Sequence, residues 1–191
     1  MGKVVVTEFV SLDGVFEDPG GSEDSGLGAW TFAFDRGDDG NKFKLDETLN
    51  SDALLLGRVT YEGFAAAWPE RPSDPFSDKF NGMPKYVVSS TLKDPEWNNS
   101  TVIGTDLKSE VPKLKEKHEG DIAVHGSGRL ARGLLDDGLV DEVRLMVFPV
   151  VLGKGRQLFE GIEKHTLKLE GTQPVGPDGI VVLTYEPADQ E

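Results

Sequence analysis

Asp121-Ile-Ala-Val-His125-Gly126-Ser127-Gly128-Arg129-Leu130-Ala131 is the stretch that decides how this chain folds: an apolar run breaks into glycines and restarts as leucine-rich sequence. That order predicts a strand, a glycine turn and a helix start. Such a junction leaves unpaired backbone N–H groups at the positive end of a helix, with no side chains blocking approach, and suits a phosphate. Glycines after a strand are also simply how chains turn, so the rest of the sequence must separate the two readings.

The same pattern occurs upstream. Asp52-Ala-Leu-Leu-Leu56 reads as a short buried strand, and Gly57-Arg58-Val59-Thr60-Tyr61-Glu62 turns it into a helix ending near Trp68-Pro69. Lys85-Tyr86-Val87-Val88 is another strand, stopping at Ser89-Ser90-Thr91. Residues 3–10 are β-branched and apolar, predict the first strand, and end at Ser11-Leu12-Asp13-Gly14. Val102-Ile103 is a short strand and residues 107–117 an amphipathic helix. Residues 130–135 continue as a helix closed by Gly138, although Asp136 and Asp137 oppose the helix dipole there and are read as solvated.

Residues 140–152 form the longest apolar run and predict a long strand entering the core, with Pro149 forcing a bend or an edge. Residues 166–172 and 179–185 read as an antiparallel pair that finishes the sheet. Residues 17–28 hold almost nothing to bury and predict a mobile surface loop. Three aromatics follow at residues 29–34, then a helix over 41–50, while the Pro- and Asp-rich residues 69–84 read as a connection.

The chain of 191 residues suits one domain spanning 1–191, since domains typically hold roughly 100–200 residues. Absence of cysteine rules out disulfides, thiolate metal sites and a Cys nucleophile, and three scattered histidines argue against a metal centre. A net charge of −14 repels nucleic acid and anionic membranes, so any phosphate must be held locally by a few well-placed groups. The start, Met1-Gly-Lys-Val-Val-Val-Thr-Glu8, becomes charged too soon for a signal peptide, and no window approaches ~18 apolar residues. A cytoplasmic protein is expected.

Strands alternating with helices predict an α/β fold with a largely parallel sheet, made mixed by the terminal hairpin. Ligands then bind beyond the C-terminal strand ends. Three strands end in small or phosphate-friendly residues: Gly57-Arg58 with Thr60, Ser89-Ser90, and Gly126-Ser127-Gly128-Arg129. If they lie parallel, those groups share one edge and suit an extended molecule with several phosphates, such as a dinucleotide. Arg58 adds a planar guanidinium for a bidentate grip. No Gly-x-x-x-x-Gly-Lys-[Ser/Thr], Gly-x-Ser-x-Gly or Gly-x-Gly-x-x-Gly run is present.

Taken together, Ser11-Leu12-Asp13-Gly14, Leu56-Gly57-Arg58-Val59-Thr60-Tyr61-Glu62, Val88-Ser89-Ser90, His125-Gly126-Ser127-Gly128-Arg129-Leu130, Leu139-Val-Asp-Glu-Val-Arg-Leu and Pro149-Val-Val-Leu-Gly153 resemble the dihydrofolate reductase superfamily. The nearest branch is the riboflavin-biosynthesis reductase C-terminal-domain (RibD C-terminal) family. The resemblance covers nearly the whole chain in the family's order. It implies a dihydrofolate-reductase-like three-layer α/β fold, a central mixed and mostly parallel sheet with helices on both faces, and an NADPH cofactor.

The family's pyrophosphate clasp carries over to Gly57, Arg58, Thr60, Gly126, Ser127, Gly128, Arg129 and Leu130. Ser89 and Ser90 match the position near the adenosine 2′-phosphate, and with Arg58 imply NADPH over NADH. Where the family often has Gly-Gly, this chain has Gly126-Ser127.

The nicotinamide is expected beside residues 10–14, with residues 17–28 as a lid. Asp13 is then the nearest carboxyl group and the candidate catalytic residue. Gly14, Trp30, Phe34 and Tyr61 are the candidate substrate contacts. Folate-reducing relatives use a carboxylate on the helix after the lid, but Asp35, Asp38 and Asp39 match no motif, so a pterin, a pyrimidine or another flat heterocycle stays open as substrate. His125 reads as a strand-end residue. The preferred expectation is an NADPH-dependent reductase; the alternative is a binding protein that holds a nucleotide or small ligand without turnover. The apolar run at 140–152 offers either core or a face for the homodimer usual in the family.

Overall fold

The computed structural model describes residues 1–188. Its β-branched and leucine-rich runs form β1 (Lys3–Ser11), β2 (Ser51–Gly57), β3 (Lys85–Val88), β4 (Ser100–Ile103), β5 (Asp121–Val124), β6 (Glu142–Phe148), β7 (Leu167–Val175) and β8 (Ile180–Pro187). The helices are α1 (Gly37–Asn50), α2 (Arg58–Ala67), α3 (Pro75–Gly82), α4 (Leu107–Lys117) and α5 (Gly128–Asp136), with a 3-10 turn at Trp30–Ala33. All strands join one sheet ordered β4-β3-β2-β5-β1-β6-β8-β7. The first six run parallel, and β8 lies antiparallel between β6 and β7. The expected mixed, mostly parallel sheet is therefore present.

Alternation along the strands sends successive side chains to opposite faces, and both faces are covered. Val4, Val6, Leu55, Ile122, Val124 and Val143 pack with Val111 and Leu114 of α4 and Leu130 and Leu134 of α5. Leu54, Leu56, Val87 and Ala123 pack on the other face with Tyr61, Phe80 and Trp97. Burial on both sides explains why these strands are almost uniformly apolar. A third cluster, Trp30, Met146, Phe148, Val175, Ile180 and Val182, fills the β6–β8–β7 side.

Four local expectations change. Residues 69–84 contain α3, whose Asp74 caps it by accepting from Ser77 N at 2.8 Å, with Pro75 in the first turn. Buried Lys85 then ties α3 to the sheet, its ammonium donating to the carbonyls of Asn81, Met83 and Asn98 at 2.6, 2.9 and 2.9 Å. Strand β6 stops at Phe148, because Pro149 has no N–H to continue a ladder, and it lies inside the sheet between β1 and β8. Asp136 and Asp137 are paired rather than merely solvated, with His165 at 2.8 Å and Lys108 at 3.0 Å.

The fourth change concerns residues 17–28, which are organised around a buried carboxylate. Asp18 accepts from Glu23 N at 2.8 Å and from the Ser25 hydroxyl at 2.6 Å, with its backbone at φ 52°. Arg156 pairs with Glu17 and Glu23, each at 2.7 Å, and so joins this loop to the segment after β6. Leu27 is its one apolar anchor, packed against the third cluster.

Among the described residues no helix is long and apolar enough to cross a membrane. Phe148 sits edge-on to Phe9, Trp30 and Phe34, with ring centroids 5.5, 5.5 and 6.0 Å apart. Phe148→Ala is therefore expected to cost about 3–5 kcal/mol in urea unfolding; a loss under ~1 kcal/mol would mean that the β6–β8 side does not depend on this ring.

Candidate functional site

Adjacent parallel strands β3, β2 and β5 deliver Ser89-Ser90, Gly57-Arg58-Thr60 and Gly126 to Arg129 to one edge of the sheet. Two of these segments are stitched together. The buried Ser127 hydroxyl accepts from Gly57 N at 3.0 Å and donates to the His125 carbonyl at 3.0 Å. Gly126 has φ +60°, which favours glycine, and a Cβ there would press on the Thr60 methyl at 3.1 Å.

Helices α2 and α5 begin at this edge, and neither has a side-chain cap. Helices α3 and α4, by contrast, are each capped by an aspartate, Asp74 and Asp106. Uncapped N-termini keep backbone N–H groups available to an anion.

The expected clasp residues are brought together, with distinct parts. Arg58 is exposed and its guanidinium is held by both oxygens of Glu62 at 2.8 and 2.9 Å, a surface pair that is easily exchanged for another anion. The Ser89 hydroxyl accepts from Thr91 N at 3.1 Å and Leu92 N at 2.9 Å, shaping the turn, while Ser90 stays exposed. Arg129 is exposed. Leu130 is buried in the core, which leaves only its backbone facing the edge. At Gly128 a Cβ would run into the ring of buried Phe16, so the root of the 17–28 loop packs directly on the start of α5.

The aromatic residues do not form one wall. Trp30 is buried in the third cluster, its indole N–H donating to the Glu17 carbonyl at 2.9 Å, with Phe34 beside it. Tyr61 belongs to the α2–α3 face, where its hydroxyl accepts from Trp97 N at 3.0 Å. Gly14, at φ +79°, makes the turn after β1.

Asp13 closes that turn. Its carboxylate accepts from the Ser11 hydroxyl at 2.6 Å, Gly153 N at 2.8 Å and Leu152 N at 3.1 Å. These bonds hold its pKa down to about 2. A group that stays ionised through neutral pH is poorly placed to give up a proton.

Three buried polar groups near the site, Glu8, Lys44 and Glu47, lie where the sequence drew no attention. Pairing of β1 with β5 ends at Val6 and Val124, while β1 continues along β6 to Ser11. Glu8 lies just past this parting, 7% exposed, with Oε1 lacking any hydrogen-bond partner. Burial pushes its pKa up to about 8, against the pull of the Lys44 charge and the Gly126 N–H.

Lys44 and Glu47, from the inner side of α1, form a buried ion pair, and Lys44 also donates to Thr7 Oγ1 at 3.0 Å. His125, edge-on to Phe80 with centroids 5.6 Å apart, is kept neutral because burial and the Lys44 charge lower its pKa to about 3. The one signal for Glu8 in the sequence is a lone carboxylate inside Val4-Val-Val-Thr-Glu-Phe-Val10. Among the described residues, no group of three or more His, Asp or Glu is arranged to hold a metal ion.

Glu8 also sets a pH dependence of stability. Its folded pKa lies above the unfolded value of 4.5, so its contribution is favourable below about pH 4.5 and is lost as pH rises toward 8. Glu8→Gln is expected to raise Tm by ~4 °C or more at pH 8 and to change it little at pH 4. Equal shifts at both pH values would mean that Glu8 ionises normally.

Comparison with known proteins agrees with this architecture. The chain is 29% identical over 189 residues to the uncharacterized protein YyaP of Bacillus subtilis strain 168, covering 96% of this chain and 94% of that one. A Shewanella sp. PV-4 structure superposes with a TM-score of 0.76 at 20% identity, over 98% of this chain and 99% of that one. Dihydrofolate reductase from Enterococcus faecalis, solved with NADP(H), gives a TM-score of 0.59 at 17% identity, with 98% of both chains covered, so the fold is dihydrofolate-reductase-like. The family model for the RibD C-terminal domain matches residues 2–181, and the chain belongs to that family.

Proposed function

We propose that this protein is an NADPH-dependent reductase that passes a hydride to a small flat heterocycle, a pterin or a pyrimidine. The observation that carries the reading is the edge formed by β3, β2 and β5, where two uncapped helix starts are joined through the Ser127 hydroxyl. Two proteins of the same fold support it: E. faecalis dihydrofolate reductase, solved with NADP(H), and a Thermotoga maritima protein described as a deaminase/uracil reductase.

In this reading the N-termini of α2 and α5 receive the pyrophosphate, and Arg58 with Ser90 receives the 2′-phosphate. NADPH supplies the hydride when bound. The protein must then hold the ring, exclude water and provide a proton. That last role moves from Asp13 to Glu8, which is protonated at neutral pH and sits in the parting of β1 and β5 beside Gly126. A donor with a pKa near the working pH is the effective one.

NADPH is expected to quench the intrinsic Trp fluorescence saturably. No quenching at millimolar cofactor would remove the reading. Arg58→Ala should weaken NADPH by ~1.5–3 kcal/mol through loss of a charged hydrogen bond, with NADH almost unaffected; equal losses for both would discard the 2′-phosphate role. Substrate-dependent NADPH oxidation, followed by absorbance across a panel of pterins and aminopyrimidines, separates a reductase from a protein that only binds. With an active substrate, kcat is expected to fall as pH rises through about 8, following Glu8. Glu8→Gln should reduce kcat ~10²–10⁴-fold; unaltered turnover and pH profile would reassign the proton donor.

A further inference from the structure

Arg58 begins α2, and Glu62 stands one helical turn further on. Both Glu62 oxygens take their hydrogen bond from the same nitrogen, Arg58 Nη1. Nε and Nη2, the edge of the guanidinium that forks onto a phosphate, make no hydrogen bond among the described residues. A 2′-phosphate placed on that edge would therefore lie beside the Glu62 carboxylate, with one cation serving two anions.

The surroundings sharpen that conflict. Glu62 also lines a cavity shared with Asp94 and Glu96 of the β3–β4 connection, so this side of α2 is acidic, in a chain of net charge −14. The Arg58–Glu62 pair itself presents no net charge. A phosphate monoester carries roughly −2 at neutral pH and gains from Arg58 only by displacing or sharing Glu62. A ribose hydroxyl is neutral and can donate to the same carboxylate. In dinucleotide sites of other folds, a carboxylate holds the 2′-hydroxyl and an arginine the 2′-phosphate; here one i,i+4 pair supplies both groups.

We propose that Glu62 is a cofactor-specificity residue: its carboxylate competes with the 2′-phosphate of NADPH for Arg58 and accepts a hydrogen bond from the 2′-hydroxyl of NADH. The site then admits both dinucleotides, and Glu62 holds the preference for NADPH below what Arg58 alone would give. This inference rests on the cofactor reading, with Arg58 at the adenosine end. Both side chains are about half exposed, and exposed pairs are weak, so Arg58 can exchange one anion for the other.

Titrating the Trp fluorescence of the full chain and of Glu62→Gln with NADPH and with NADH tests the proposal. Glu62→Gln keeps the shape and removes the charge. It is expected to tighten NADPH and weaken NADH, each about fivefold, so that the ratio of the two affinities rises about tenfold or more. Opposite directions are the signature, because a change that merely disturbed α2 would weaken both. Glu62→Ala serves as the second variant and should raise the ratio as well. Asp46→Asn breaks a pair of the same i,i+4 spacing on α1 and should leave the ratio unchanged. A rise below about threefold, a fall in the ratio, or weaker NADPH binding by both Glu62 variants overturns the role of Glu62, while the cofactor reading stands on the NADPH binding of the unaltered chain. If the unaltered chain binds no NADPH, that reading fails and the role of Glu62 with it.

Discussion

Parallel pairing between β1 and β5 ends at Val6 and Val124, and much of the molecule follows from that parting. Up to this point β1 pairs with β5 and, from Val5, with β6 as well, and after the exposed Lys3 it carries only buried valines. Beyond it, the strand keeps β6 and loses β5. Glu8 and the end of β5 at His125 fall into the gap, and Lys44 is reached from α1 through Thr7. Unpaired strand ends inside a sheet have polar groups to satisfy, so polar residues gather where the sheet separates. The glycine clamp and the ionisable cluster are two sides of one parting.

The acidic surface and the buried cations form a second theme. Lys44, Lys85 and Arg144 lie inside or partly inside a chain of net charge −14, and each is met by its own acceptors. Lys85 is satisfied entirely by carbonyls and carries no partner charge. Burial accordingly lowers its pKa to about 8. Glu47 stays ionised although burial opposes it, because Lys44 and Thr7 pull its pKa below the ordinary value. At Glu8 the Lys44 charge and the Gly126 N–H do not offset burial, and it holds its proton. Two buried glutamates less than forty positions apart thus take opposite charge states, decided by what each touches.

The layout of the sheet was legible where a strand, a glycine and a helix start followed one another, at residues 52–62 and 121–131. Those segments became β2–α2 and β5–α5. Helix α3 escaped because Pro and Asp were read as loop residues, although Asp74-Pro75 is also a helix start. The loop at 17–28 escaped because its organising residue is a carboxylate, and apolar periodicity has nothing to say about Asp18. Trp30 and Tyr61 were grouped by residue type, yet they sit in different clusters on different strands' faces. Glu8 could not be singled out, since a charge in an apolar strand reads equally well as a solvated edge.

The sequence by itself determined the strands, most of the helices, the order of the phosphate-friendly turns and the family resemblance, because these rest on local propensity, glycine geometry and spacing along the chain. Only the tertiary structure decided which turns meet, since strand order is a matter of pairing between segments distant in sequence. It turned Gly126-Ser127 into a joint with Gly57, occupied Asp13 with the Leu152 and Gly153 amides, and left Glu8 buried without a bonding partner at Oε1. Protonation state depends on desolvation and nearby charge, and neither exists until the chain has folded.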